Sequence, residues 1–314
     1  MIAFFDKIYT ATQRINIYLK KMRFDSFFRI IIRSTANKII PLYLILTAKR
    51  KNYSLINNRK TENKLLVSLT TFPNRISKIW VVIECVLRQN IKPEKIILWL
   101  SKEQFPEIEE LPRRLLDLRE RGLEIKIRDG NLRSHKKYYY AMLEYPEYTV
   151  VTLDDDVLYT PSVLKKLIKL HQEYPNNICC NHASVININN NSISNYLEWE
   201  NVKQRVVNTD KIMPIGVGGV LYPKKCLHSL VFNQDVFKKY CFLADDIWLN
   251  MMSRLAETNV SKTDDESLYL PVINRNDINL STENVIKGMN DLQLRETREY
   301  IMDNYGMDPY KSIL

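Results

Sequence analysis

Residues 64 to 174 alternate short apolar runs with stretches of helical period, which predicts an α/β fold, a mostly parallel sheet with helices on both faces. No internal repeat or Gly- and Pro-rich linker interrupts the chain after residue 64, so residues 64–314 read as one domain. Ligands of such sheets gather at the carboxyl ends of the strands, and functional residues are expected just after them.

Each element has its own reason. Residues 64 to 70 (KLLVSLT) form an apolar run ending in Thr70-Thr71-Phe72-Pro73, where Pro73 forbids simple continuation of a central strand. The next helix carries the stripe Ile76, Ile79, Trp80, Ile83, Val86 and Leu87. Residues 95 to 100 (KIILWL) read as a buried strand, 111 to 121 as a helix and 124 to 128 (EIKIR) as a third strand. A helix over 134 to 143 and a fourth strand over 149 to 153 (TVVTL) follow; Pro161 then opens a helix over 163 to 174.

The composition is that of a folded protein. With 314 residues, 45% hydrophobic content and only 7 Gly and 12 Pro, collagen-like, low-complexity and wholly disordered chains are excluded. Cys85, Cys179, Cys180, Cys226 and Cys241 show no CxxC spacing, which argues against a disulfide framework or a zinc ribbon. The N-terminus lacks the order of a signal peptide, so a reduced, cytoplasmic protein is expected.

Charge divides the chain. Residues 1 to 64 hold 14 Lys or Arg against 3 Asp or Glu, a net of +11, while the remainder nets −1. In residues 4 to 22, Phe4, Ile8, Ala11, Ile15, Tyr18, Leu19 and Met22 recur at helical intervals, with Arg14, Lys20 and Lys21 off that stripe. A second apolar stretch, residues 27 to 46, is broken by Arg29, Arg33, Lys38 and Pro41, short of the roughly 20 apolar residues a bilayer span needs. Residues 1–63 therefore read as a basic amphipathic arm lying on a membrane surface, extended by Lys49, Arg50, Lys51, Arg59, Lys60 and Lys64. The bland alternative is a helical hairpin packed on the body. No nucleic-acid recognition motif accompanies the charge.

Directly after the fourth strand stands Asp154-Asp155-Asp156. Three adjacent carboxylates repel one another, and a strand end with nothing to neutralise them is unfavourable. Such oxygen ligands suit a hard divalent cation that completes its shell with water and substrate phosphates. A capping cluster before the next helix is the simpler reading, although a cap needs only one carboxylate.

The order of motifs resembles the GT-A nucleotide-sugar glycosyltransferases, in particular the bacterial enzymes that build capsular and lipopolysaccharide chains. VSLTTFPNR (residues 67 to 75) looks like their opening strand and nucleotide-holding turn, and TVVTLDDDVLYTP (149 to 161) like their strand and DxD motif. FLADDIW (242 to 248) looks like the acidic motif near the acceptor, and NDLQ (290 to 293) resembles a short motif near the C-terminal end. The resemblance implies a GT-A, Rossmann-like fold and a cation, Mn²⁺ or Mg²⁺, held by Asp154 and Asp156 on the donor diphosphate, with Asp155 toward the sugar or ribose. Many such enzymes add a C-terminal His ligand; here no His follows His228.

Other candidates follow from position. Thr70, Thr71, Phe72 and Arg75 end the first strand and Asp129 the third, where base and ribose would sit. Lys136 and Lys137, ahead of Arg133, are candidates for the phosphates; a solvated basic turn explains them equally well. Gly218 and Gly219, in the cluster Gly216-Val217-Gly218-Gly219, permit close backbone approach to a sugar or, equally, a tight turn before a strand. Asp245 and Asp246 open a helix with the stripe Trp248, Met251, Met252 and Leu255; capping explains one acid, which leaves Asp246 as general base and Asp245 as its orienter or an acceptor contact.

The expected function is metal-dependent transfer of a sugar from a nucleotide sugar, a UDP-sugar first, to a hydroxyl of a cell-surface glycan or lipid-linked acceptor, with inversion, on the cytoplasmic face of the plasma membrane. Three rivals stand beside it. A nucleotidyltransferase would be expected to show a Gly-rich, basic loop after its first strand, where this chain has TTFPNR (residues 70 to 75). A haloacid-dehalogenase-type phosphohydrolase needs a nucleophile strand near the start of the core, and here three βα units precede Asp154. A catalytically inactive sugar-binding module predicts binding without turnover.

Overall fold

The four apolar runs become strands β1 (Leu65–Thr70), β2 (Lys95–Ser101), β3 (Leu123–Arg128) and β4 (Thr149–Thr152), all parallel, in the order β3-β2-β1-β4. The structure is a computed structural model and describes residues 1–14, 23–48, 53–55, 64–273 and 288–314. The chain continues through strands too short for a periodic signature, β5 (Ile178–Cys180), β6 (Ala183–Val185), β7 (Ile188–Asn189), β8 (Ser192–Ile193), β9 (Val206–Thr209), β10 (Ile212–Pro214), β11 (Val220–Tyr222) and β12 (Val260–Lys262), of which β6 with β10 and β7 with β8 form two separate two-stranded ribbons. The full order of the eight-stranded sheet is β3-β2-β1-β4-β11-β5-β12-β9. β11 runs antiparallel to β4 and β5, and β9 antiparallel to β12, so the sheet is mostly parallel, as its class requires.

The helices are α1 (Ile2–Ala11), α2 (Phe24–Leu46), α3 (Ile79–Leu87), α4 (Arg113–Leu116), α5 (Lys136–Glu144), α6 (Val163–Glu173), α7 (Gln234–Tyr240), α8 (Asp245–Leu255) and α9 (Met289–Tyr305). The helix expected over residues 111 to 121 is instead the single turn α4 followed by a 3₁₀ stretch, Asp117–Arg121, that ends at Gly122 with φ 104°. Alternation along the strands divides the core in two. Leu65, Val67, Leu69, Ile96, Leu98 and Val151 point to the face covered by α3 and α6, while Leu66, Ile97, Trp99 and Val150 point to the face covered by α5 and α8.

The N-terminal arm shares the first of these cores. Ala36, Ile40 and Leu44 of α2 and Ile2 and Phe5 of α1 are buried with α3 and β1. The boundary at residue 64 therefore separates a charge difference and not two cores. Pro41 lies within α2 without ending it, because Ile40 and Leu44 hold the turns on either side against the body. Arg88, next to α3, closes the other end: its guanidinium donates to the Leu44 carbonyl at 2.9 Å and to Thr47 Oγ1 at 2.8 Å, and it pairs with buried Glu84 at 3.0 Å. The apolar stripe read in the first helix is turned outward, since Phe4 and Ile8 are exposed where Ile2 and Phe5 pack. Its continuation at Ile15, Tyr18, Leu19 and Met22, and the basic residues Lys20, Lys21, Lys49, Arg50, Lys51, Arg59 and Lys60, lie outside the described residues.

One buried histidine ties α5 to the chain ahead of α8. His135 Nε2 lies 2.9 Å from the Cys241 carbonyl and Nδ1 2.9 Å from Tyr138 Oη, with Phe237 stacked on the ring at 4.4 Å. A carbonyl only accepts, so Nε2 carries a proton. Burial lowers its pKa from 6.5 to about 4. The unfolded chain then binds the extra proton first, so stability is complete above about pH 6.5 and falls as pH drops toward 4, by about 3 kcal/mol from this group. His135→Phe is expected to flatten that acid limb in urea titrations at pH 5 and 7.5; an unchanged limb would remove the assignment.

Candidate active site

At the carboxyl ends of β1 and β4 a cleft of about 430 Å³ opens, and its walls include Thr70, Thr71, Phe72, Arg75, Lys136, Lys137, Asp154, Asp155, Asp156, Asp245 and Asp246. Residues spread over 177 positions of sequence thus meet because parallel β1 and β4 deliver the loops after them to one edge, where the start of α8 also lies. Asp129, Gly218 and Gly219 do not line it. Asp129 turns outward, its side chain 93% exposed and 4.0 Å from Lys102. At Gly219 φ is +85°, and a Cβ would stand 2.7 Å from Leu153 Cδ2; at Gly218 a Cβ would meet the Tyr269 hydroxyl at 2.5 Å. Those two glycines serve close packing behind the cleft.

The acidic triplet is neutralised by the chain's own cations, which corrects the premise that nothing balances it. Asp155 points inward and accepts from Thr71 Oγ1 at 2.5 Å and Arg75 Nη1 at 2.6 Å; the same Arg75 nitrogen lies 2.8 Å from Asp156. Arg75 reaches them from the turn after β1, stacked over Phe72 at 5.2 Å. Burial pushes the Asp155 carboxyl above its ordinary value, against the pull of Arg75 and Thr71. Asp154 takes the opposite side and pairs with Lys137 Nζ at 2.8 Å.

Lys137 also lies 3.1 Å from Asp245 Oδ2, an ion pair without hydrogen-bond geometry, so one ammonium links both acidic motifs. Its backbone is fixed from β1, where Ser68 Oγ donates to the Lys137 carbonyl and receives from Trp99 Nε1 at 2.9 Å. Burial raises the Asp245 carboxyl, but Lys137, joined by His135 and Ser134, leaves the group below its ordinary value. Asp246 differs. Burial first, then Asp245, push it up to about 7, while its Oδ2 accepts from the Gly216 N–H at 3.1 Å.

Gly216 separates the two acids, and a Cβ there would lie 3.3 Å from Asp154 Oδ1 and 3.3 Å from Asp246 Oδ1. It was legible as the first Gly of its cluster, although the sequence reading chose its neighbours. Lys136 is buried, with Nζ on Asn131 Oδ1 at 3.0 Å, and burial lowers its pKa to about 8. Arg133 is the exposed cation of this trio, over the Phe242 ring at 5.1 Å. Asn131 and Gln104, which carry no motif of their own, also line the cleft, as do Phe242 and Leu243 at the start of the FLADDIW segment. The NDLQ segment does act here: Gln293 Oε1 accepts from the Leu243 N–H at 2.7 Å and so fixes the loop before Asp245.

Among the described residues, no group of three His, Cys, Asp or Glu side chains could hold a metal ion. Asp154 and Asp156, about a third exposed, offer oxygen ligands of the kind a hard cation takes when phosphate and water supply the rest. The residues therefore fit an ion that arrives with a phosphorylated ligand better than a fully protein-held one.

The fold and cleft define an α/β protein with a carboxylate-rich, cation-balanced site at its strand ends. No family model matches the chain, and neither does any curated protein. Among solved structures it is similar to a mannosyltransferase from Pyrobaculum calidifontis in complex with GDP-Man and Mn²⁺, at 13% identity and a TM-score of 0.46, over 91% of this chain and 78% of that one. It is also similar to a 4-diphosphocytidyl-2C-methyl-D-erythritol synthase at 9% identity and a TM-score of 0.41, over 67% and 93% of the two chains. A second such synthase, from Anaerococcus prevotii, shows 13% identity and a TM-score of 0.38 over 74% and 99%.

Proposed function

We propose that the chain transfers a sugar from a nucleotide sugar, with a UDP-sugar as first candidate, to a hydroxyl of a glycan or lipid-linked acceptor. The observation that carries this reading is the pairing of Asp154 and Asp246 across Gly216. One is a candidate phosphate-side ligand and the other a carboxylate poised near neutrality, at the distance of a single residue's side chain.

In this reading Asp246 takes the proton of the acceptor hydroxyl as its oxygen bonds to the anomeric carbon. The bond from that carbon to the phosphate oxygen breaks, and the nucleoside diphosphate leaves with the electron pair, with inversion. Lys137 holds Asp245 and Asp154 in register for this exchange, and Arg75, Lys136 and Arg133 make the wall facing the phosphates cationic. Asp154 and Asp156 would hold Mn²⁺ or Mg²⁺, which when bound neutralises charge on the departing diphosphate. Thr70, Thr71 and Phe72 face the nucleoside side of the cleft.

The test is a thermal-shift panel of UDP, GDP, CDP and ADP, each with and without Mn²⁺, on wild type and on Asp154→Asn/Asp156→Asn. Stabilisation by one nucleotide that needs the ion and is lost in the variant is expected, about 2.7 kcal/mol at 100 times Kd. No shift with any nucleotide would turn the reading toward the phosphohydrolase or the inactive module. Gly216→Ala is expected to weaken the same ion-dependent binding by about tenfold or more while leaving the unfolding midpoint in place, because its methyl group enters between the two acids; unchanged affinity in isothermal titration would remove Gly216 from the site.

A further inference from the structure

Of the eighteen exposed large apolar side chains among the described residues, twelve belong to the first 46. Six of these, Phe24, Phe27, Phe28, Ile31, Leu42 and Ile45, fall at helical spacing on the side of α2 opposite buried Ala36, Ile40 and Leu44. Phe27 is 56% and Leu42 61% exposed. One side of α2 is thus committed to the core, and the other presents a long apolar face to the surroundings. Such a contiguous face marks an interaction surface, unlike apolar residues scattered singly.

Charge identifies the occupant. Residues 1 to 64 net +11 against −1 for the rest of the chain, and Arg23 and Lys38, beside and within the outward face, are exposed. A second copy of the face would bring like charges together, whereas a surface of anionic phosphates complements them. No helix among the described residues is long and apolar enough to cross a membrane. An apolar face of this kind, bordered by basic residues and too polar to span, has the chemistry of a helix lying in the plane of a lipid interface.

We propose that the outward face of α2, continued by Phe4 and Ile8 of α1, seats the protein on an anionic bilayer. The apolar side chains enter below the headgroups, and the arginines and lysines meet the phosphates. The opposite face stays packed on α3, so the anchor is rigidly joined to the body and is not a tether that can be cut off. The proposal stands on the arm alone and does not depend on the transferase reading.

The test floats the whole chain with vesicles of phosphatidylcholine alone and of phosphatidylcholine with phosphatidylglycerol. Flotation with the anionic vesicles, weakened by salt, is expected. Phe27→Glu/Ile31→Glu/Leu42→Glu should lower partitioning by about 100-fold or more with an unchanged thermal midpoint. Should that variant unfold, Arg23→Gln/Lys38→Gln leaves the apolar side chains in place and should remove much of the salt-sensitive binding. Failure of the wild type to float, equal binding to neutral vesicles, or undiminished binding by both variants would overturn the proposal. A solution dimer dissociated by the triple substitution would assign the face to a second copy and overturn it as well.

Discussion

Asp246→Asn is expected to lower kcat by about 10²- to 10⁴-fold while leaving nucleoside diphosphate affinity within about threefold. The asymmetry follows from geometry. Asp246 reaches the structure through one bond, from the Gly216 N–H at 3.1 Å, and the amide oxygen of Asn can accept it equally. What the substitution removes is a proton acceptor whose pKa burial and Asp245 raise to about 7. A base acts in its deprotonated form, so the wild-type rate should climb as pH rises through that value, and a cation bound at Asp154 should move the limb lower. The residual activity of the variant should lack it. Steady-state kinetics with nucleotide titrations separates the two quantities; equal loss of kcat and affinity would withdraw the base assignment.

The parallel half of the sheet was legible because β1, β2 and β4 are buried on both faces and read as unbroken apolar runs. β5 to β12 are two to four residues long, below the length at which alternation has a period, and β11 enters between β4 and β5 from forty residues downstream of β5. In the site the carboxylates were legible from their place after a strand. Their counter-ions were not. Arg75 and Asp155 are eighty residues apart, and only the parallel pairing of β1 with β4 puts the turn after one beside the turn after the other. The misplacement of Asp129 has the same origin, since the end of a strand fixes an edge of the sheet but not the direction in which the side chain leaves it. In the arm, periodicity identified the helix. Which side of it meets the body is decided by the partner, and the stripe at Phe4 and Ile8 stays outward.

Lys137→Met should be the most destabilising single change in the cleft, at about 3–5 kcal/mol near neutral pH. In the wild type Lys137 offsets burial at Asp245, which lies below its ordinary value. Its contribution to stability is therefore present above the unfolded pKa and lost as pH falls through the folded one. Without the ammonium the remaining opposition to burial, chiefly Ser134 at Asp245 and the Gly216 N–H at Asp246, is weaker, and both folded carboxyls should stand above their unfolded values. The unfolded chain then binds fewer protons, and stability falls as pH rises through the raised pKa values, the reverse of the wild-type contribution. Urea unfolding from about pH 5 to pH 8 should show the variant closest to wild type at the acid end and furthest from it at the alkaline end. Lys137→Arg keeps a charge between Asp154 and Asp245 and should restore the wild-type slope. A parallel pH profile in Lys137→Met would mean that Arg75 alone balances the cleft and that the two acidic motifs are not coupled through Lys137.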